Sequence, residues 1–92
     1  MVYDTNTVYL EEMLKLAEGL MKKGITFKFH KLYDGFQIVV FGDGDRQIWD
    51  AICHSGSYGH ENGLLEIAGT IVTDDYGDVE PNLTAKDILD RV

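Results

Sequence analysis

The first hydrophobic pattern along the chain has the period of an α-helix. From Leu10 onward, apolar residues recur at i, i+3, i+4 and i+7, which places them on one face of a helix. The residues of this stripe are Leu10, Met13, Leu14, Ala17, Leu20 and Met21. Gly24 suits the left-handed end of a helix. The pattern therefore predicts a helix from about Thr7 to Lys23.

From Ile25 the period of the pattern changes to two, which is the period of a strand with one buried face. Turn signals at Asp34-Gly35 and over residues 42–45 separate three segments that favour β structure. These segments are residues 25–30, 36–41 and 47–52. The pattern therefore predicts a three-stranded antiparallel meander.

The second half of the chain begins with a glycine-rich loop, residues 54–63. The apolar residues within 64–73 fit a buried helix, although an Asn62-Gly63 turn followed by a strand fits them equally well. We predict the helix for this segment. Residues 74–82 are expected to form an acidic linker, and Thr84 to cap a last short helix. The predicted fold is α+β, in the order αβββαα: an N-terminal helix, a three-stranded antiparallel sheet and one or two C-terminal helices.

The size and composition of the chain predict a single domain over residues 1–92. A chain of 92 residues, of which 45% are hydrophobic, has enough apolar surface for one core. No apolar run approaches the roughly 20 residues that a membrane-spanning helix needs, and charged residues interrupt the first segment where a secretory signal would be apolar. The lone Cys53 excludes an intrachain disulfide and fits a reducing compartment. We therefore expect a soluble cytoplasmic protein.

The charge of the chain is acidic and unevenly distributed. Sixteen acids and eight bases give a net charge of −8, and no Lys or Arg lies between Arg46 and Lys86. An acidic surface disfavours direct binding of nucleic acid and attracts basic proteins; a merely solvated surface is the alternative. The candidate partner-binding residues are Asp74, Asp75, Tyr76, Asp78 and Glu80. Some of the aromatic residues near loops are further candidate interface anchors, namely Trp49, Tyr33, Tyr58 and Tyr76, although core packing explains Trp49 at least as well.

The residues with the most distinctive chemistry lie in or beside the glycine-rich loop: Cys53, His54, His60 and Glu61. Thiolate and imidazole groups suit zinc, but this spacing matches no standard zinc finger. One alternative is that Cys53 is a buried hydrophobic residue and that the histidines are hydrogen-bonded loop residues. A second is a small thiol- or metal-dependent hydrolase, with Cys53 as nucleophile and His60 as base. Nothing in the sequence marks an oxyanion hole, so we expect no enzyme activity.

Three stretches carry a resemblance to known proteins: residues 32–37, residues 50–66 and residues 83–89. Together with the N-terminal helix, they resemble a family of small proteins encoded by phages and prophages of Gram-positive bacteria. The chain is also similar to small acidic anti-CRISPR proteins, which block the RNA-guided nuclease of type II systems and of which one group contains zinc.

The resemblance implies a stoichiometric binder without catalysis, which acts in the host bacterial cytosol on a basic surface of the nuclease. It also implies a structural zinc ion held by Cys53, His54, His60 and Glu61, with Asp50 or Glu66 as a replacement for one of them. A phage regulatory interaction module with a phage partner is the remaining alternative.

Overall fold

A computed structural model describes residues 5–73 and 76–92 of the chain. The helices and strands, in chain order, are α1 (Thr5–Lys22), β1 (Phe27–Leu32), β2 (Gly35–Phe41), β3 (Gln47–Cys53), β4 (Leu65–Gly69), β5 (Val79–Leu83) and α2 (Ala85–Leu89). Short 3₁₀ turns precede β3 and β4. The first helix and the first three strands match the predicted elements to within about two residues at each end.

The five strands form one antiparallel sheet in the order β1-β2-β3-β4-β5, so each strand pairs with its neighbour in sequence. The α+β class and the N-terminal helix are confirmed. The prediction of three strands was wrong, because two further strands follow the glycine-rich loop. Within the described residues one C-terminal helix is present, which is the lower of the two predicted numbers.

The helix predicted over residues 64–73 is strand β4 followed by a turn. Ile67 pairs with Ala51 of β3, and the buried residues Leu65 and Ile67 alternate with partly exposed neighbours. Gly69 has a φ of 108°, outside the helical region, and a Cβ at this position would lie 2.4 Å from the carbonyl oxygen of Ile48. The short apolar run fits the period of a helix and that of a strand equally well. Its pairing with β3 therefore makes it a strand.

Strand β5 occupies residues that were predicted to be an acidic linker. It contains Pro81, which lacks a backbone N–H and is tolerated because β5 lies at the edge of the sheet. Leu83 of β5 pairs with Leu65 of β4 and is buried. This pairing places the last strand beside β4 and brings the chain to the start of α2.

One face of the sheet packs against α1 and α2 to form the core. The fully buried residues of α1 are Met13, Leu16 and Leu20, and they belong to one cluster with Ile38, Val40, Trp49, Ala51, Cys53, Leu65, Ile67 and Ile88. Strand alternation places the intervening side chains on the opposite face. We call this second face the open sheet face; in β2, β3 and β4 it is formed by Gln37, Val39, Asp50, Ile52, Glu66 and Ala68.

Helix α2 is held by contacts at its first turn. The Thr84 hydroxyl accepts a hydrogen bond from the Asp87 N–H at 3.1 Å, and the Asp87 carboxylate accepts one from the Thr84 N–H at 3.0 Å. This reciprocal cap confirms the predicted start of the helix. Glu12 Oε1 of α1 accepts from the Ala85 N–H at 2.8 Å, which joins the two helices. Neither described helix combines the length and apolar character that crossing a membrane requires.

Candidate functional site

Cys53, the first predicted zinc ligand, lies in the core. It is the last residue of β3 and is 0% exposed, packed on the face that α1 covers. Burial raises the pKa of the Cys53 thiol to about 11. The thiol is therefore protonated near neutral pH and inaccessible, which gives no support to a thiol hydrolase.

His54 follows Cys53 on the opposite side of the sheet, because successive side chains of a strand alternate. Its Nδ1 accepts a hydrogen bond from the Gly56 N–H at 2.9 Å. Its ring meets the ring of Tyr33 edge-on, with 5.2 Å between the centroids. The His54 side chain is thus held by a hydrogen bond within its own turn and by contact with an aromatic ring of the β1–β2 hairpin.

His60 and Glu61 lie at the other end of the glycine-rich loop, in the 3₁₀ turn that contacts α1. The Tyr9 hydroxyl of α1 is 3.2 Å from His60 Nδ1, and Glu61 Oε1 is 3.5 Å from His60 Nε2. The ring of His60 is therefore directed to α1 and to its own neighbour in sequence.

The structure thus does not bring the four predicted zinc ligands into one coordination sphere. Within residues 5–73 and 76–92, no group of three His, Cys, Asp or Glu residues is placed to hold a metal ion. The two alternative ligands lie on the open sheet face, where Asp50 Oδ2 accepts from Gln37 Nε2 at 2.7 Å and Glu66 Oε1 accepts from the Tyr58 N–H at 3.1 Å. Zinc binding stays a prediction, and it would require the loop to rearrange.

The predicted partner-binding residues fall in different environments. Asp74 and Asp75 lie outside the described residues. Tyr76 and Asp78 are exposed in the turn that precedes β5. Glu80, in contrast, is only 4% exposed, and its carboxylate is bound within the protein.

Glu80 forms an ion pair with Arg91, whose Nη1 donates to Oε1 at 2.8 Å while Nη2 donates to Oε2. The N–H and the hydroxyl of Thr73 also donate to Oε1, each at 3.1 Å. The hydrogen bonds from Arg91 lower the pKa of the Glu80 carboxyl to about 2. In this structure Glu80 holds β5 to the C-terminal turn, so we do not include it in a docking surface.

The segment between Arg46 and Lys86, which contains no Lys or Arg, is called the base-free segment. Two of its carboxylates lie close together on the open sheet face. Asp50 pairs with Ala68, and Ile52 pairs with Glu66, so the two acids are diagonal neighbours on β3 and β4. The cation Lys28 shares this face but lies on β1, with β2 between it and the acids. The open sheet face is therefore acidic towards β4 and basic at the β1 edge.

The β1–β2 hairpin contacts the glycine-rich loop, and no signal in the sequence predicted this contact. The hairpin turn consists of Tyr33 and Asp34, and Asp34 Oδ1 accepts a hydrogen bond from the Ser55 N–H at 3.0 Å. Gly35 permits this approach, because a Cβ there would lie 1.9 Å from the carbonyl oxygen of Cys53. Only the Asp-Gly pair signalled a tight turn, and no local pattern indicated what the turn would contact.

Comparison of the chain with protein-family models, with curated proteins and with solved structures finds no significant match in any of the three. The resemblance to phage proteins and to anti-CRISPR proteins therefore rests on the sequence motifs alone.

Proposed function

We propose that this protein acts by stoichiometric binding to a basic protein surface, without catalysis. Its proposed target is the RNA-guided nuclease of a type II CRISPR system, which the protein inhibits in the cytosol of a bacterial host. The observation that supports this proposal most is the placement of the base-free segment. Strands β3, β4 and β5 all lie between Arg46 and Lys86, so this half of the sheet has no Lys or Arg of its own.

The acidic surface in this proposal is smaller than the sequence suggested. Glu80 is neutralised by Arg91. The described carboxylates that remain between Arg46 and Lys86 are Asp50 and Glu66 on the open sheet face, Glu61 in the 3₁₀ turn before β4 and Asp78 in the turn before β5. A nuclease of this class holds its RNA–DNA duplex in a positively charged channel. Carboxylates on one half of the sheet complement such a surface and raise the rate of association.

The open sheet face also carries apolar side chains between its charges. Val39 is buried among its sheet neighbours, and Ile52 and Ala68 are partly exposed. Among the described residues, neither helix packs on this side of the sheet. Apolar side chains beside charged ones are typical of protein interfaces, in which an apolar centre loses water and a polar rim remains wet.

The proposal is tested by the cleavage of target DNA by a type II RNA-guided nuclease in the presence of increasing amounts of this protein. We expect cleavage to stop near one equivalent, and the inhibition to weaken as salt is raised, because surface charges are screened within about 8 Å at physiological ionic strength. Undiminished cleavage at about tenfold excess, far above the stoichiometric point, would contradict the proposal. If a phage protein copurifies with this protein, the result would instead support the alternative function, a phage regulatory interaction module.

Charge reversal locates the surface. We expect the double substitution Glu66→Lys and Asp78→Lys to weaken inhibition by about tenfold or more, because it places two cations against a basic partner. The matched control is Glu11→Lys with Glu18→Lys, which changes the net charge equally on the exposed side of α1. If the two double substitutions weaken inhibition equally, the net charge of the protein, and not this surface, determines inhibition. Unchanged melting temperatures check that each variant folds.

A further inference from the structure

We infer that one end of the sheet, formed by Tyr33, Asp34, His54 and Tyr58, binds an arginine side chain of the protein partner. We call these four residues the tyrosine end. The inference rests on the proposed function, since it names the contact through which a basic partner is recognised. It is supported by the exposure, the rigidity and the charge of this end of the sheet.

The two tyrosines of this end are unusually exposed. Tyr33 is 81% exposed and Tyr58 is 71% exposed, the highest values for large apolar side chains in the described residues. Rings this exposed add little to the core. Tyrosine is, in contrast, among the residues that contribute most to binding at protein interfaces, because a large rigid ring is ordered at small entropic cost.

The residues around Tyr33 are held in place before any partner binds. The Asp34 carboxylate binds the Ser55 N–H, and the Gly56 N–H binds His54 Nδ1. The His54 ring in turn packs edge-on against the Tyr33 ring. A prearranged surface loses less conformational freedom on binding, and more of its contact energy then appears as affinity.

The backbone of Tyr33 supports a role for its side chain. Its φ is 55°, at the first position of a two-residue hairpin turn, where glycine is the residue that fits without strain. Tyrosine therefore lowers stability at this position, while its ring contacts His54 and is otherwise directed to solvent. Strained residues of this kind cluster at functional sites.

The charge of the tyrosine end matches a cationic ligand. Asp34 is exposed, and the Ser55 N–H holds the pKa of its carboxyl below the ordinary range. The Glu66 carboxylate binds the Tyr58 N–H at 3.1 Å. Lys31 is close in sequence, but strand alternation places it on the opposite side of β1 from the open sheet face.

Arginine fits this arrangement better than lysine. A planar guanidinium stacks on a tyrosine ring and donates two parallel hydrogen bonds to a carboxylate at the same time. A lysine ammonium is a compact, strongly hydrated charge that gains less from the ring. Discrimination between the two cations therefore separates a specific site from general attraction to an acidic protein.

The test is an NMR titration of the ¹⁵N-labelled protein with the blocked peptide Ac-Gly-Arg-Gly-Arg-Gly-NH₂ and with its lysine counterpart. We expect shifts concentrated in residues 33–35 and 54–58, and a Kd for the arginine peptide that is lower by about threefold or more, as the stacking of a guanidinium implies. Equal affinity for the two peptides, or shifts spread over all acidic residues, would overturn the inference.

Two variants examine the contact by different routes. Tyr33→Ala removes the ring, and Asp34→Asn removes the charge while keeping an oxygen that accepts from Ser55. Each should weaken binding of the arginine peptide, whereas Met21→Ala, which removes a 70% exposed side chain of α1, should not. Equal effects of Tyr33→Ala and Met21→Ala would contradict a specific site.

The nuclease assay separates this inference from the proposed function. If the natural sequence inhibits cleavage and Tyr33→Ala inhibits it equally, the arginine contact is wrong and the proposed function stands. If the natural sequence fails to inhibit, the proposed function is wrong, and the peptide titration still decides whether the tyrosine end binds arginine.

Discussion

Glu80 of β5 and Arg91 form a paired contact in which both carboxylate oxygens accept a hydrogen bond from the guanidinium. Arg91 Nη1 also donates to the Ile71 carbonyl oxygen at 3.0 Å. The contact ties the edge strand, the turn after β4 and the end of the chain together. One carboxylate of the base-free segment therefore contributes to folding.

Replacing Glu80 by Gln should destabilise the protein by about 2 kcal/mol, because hydrogen bonds to a charged group are lost and Arg91 is left partly buried without a counter-charge. Asp78→Asn is the matched control, since it removes an exposed carboxylate from the turn before β5. Urea unfolding at neutral pH measures both variants. Similar losses in the two would show that the ion pair contributes little.

The same carboxyl gives the stability a pH dependence. The pKa of Glu80 falls from 4.5 to about 2 in the folded protein, because Arg91 binds the ionised form. The folded state therefore holds fewer protons than the unfolded state in this range, so the stabilisation is complete above the ordinary pKa and is lost as the pH falls towards 2. Melting temperatures of the natural sequence and Glu80→Gln should converge over this range. A constant difference would contradict the assignment.

Gly35→Ala should destabilise the protein by about 3 kcal/mol, because the added methyl group meets backbone atoms that cannot move aside. Its Cβ would lie 1.9 Å from the Cys53 carbonyl oxygen and 2.7 Å from His54 Cα. Gly24→Ala is the control: its φ is positive, but no atom lies within 4 Å of the added Cβ, so a cost of about 1 kcal/mol is expected. Thermal unfolding that ranks the two in the reverse order would contradict the close packing of the turn on the loop.

Tyr33→Gly should raise the free energy of unfolding by about 0.5–1 kcal/mol, since glycine relieves the positive φ. Tyr58→Gly makes the same exchange at another exposed tyrosine, which is not among the residues of positive φ. There the added freedom of the unfolded chain should lower stability. Denaturant titration compares the two. Destabilisation by both would show that the ring of Tyr33 contributes more to folding than its backbone costs.

Cys53→Ala should be tolerated better than Cys53→Ser, because serine buries a hydroxyl in the core at a cost of about 1–3 kcal/mol. The melting temperature of each variant measures the difference. If Cys53 instead holds the predicted zinc ion, the two substitutions should destabilise the protein equally, and both should release zinc. Zinc analysis of protein purified without a histidine tag separates these outcomes, with His60→Ala as the second ligand variant.

The sequence predicted those elements whose signals are local. The stripe from Leu10 to Met21 is long enough to define a helix, and Thr84 with Asp87 forms a cap within four residues. The run around Ile67 is short and fits two periods, so its pairing with β3 decided the outcome. Strand β5 was missed because Pro81 argues against a strand unless its place at the sheet edge is already known.

The candidate site was harder to predict, because it depends on contacts between distant residues. Cys53 and His54 were predicted to hold the same zinc ion, but their side chains lie on opposite faces of the sheet. The acidic segment was visible in the composition, whereas the pairing of Glu80 with Arg91 required the fold. Tyr33 was identified as a possible anchor, but its contact with His54 joins two turns that are 21 residues apart, as the neighbouring bond between Asp34 and Ser55 shows.

The order of the strands in the sheet has a consequence for how the chain folds. Because every strand pairs with its neighbour in sequence, the sheet can assemble by successive hairpin closures, each with a small loss of chain entropy. The helical layer differs, since the bond between Glu12 and Ala85 closes a loop of 73 residues. We therefore expect the hairpins to form first and α2 to dock last, because its contact with α1 needs all five strands to be in place.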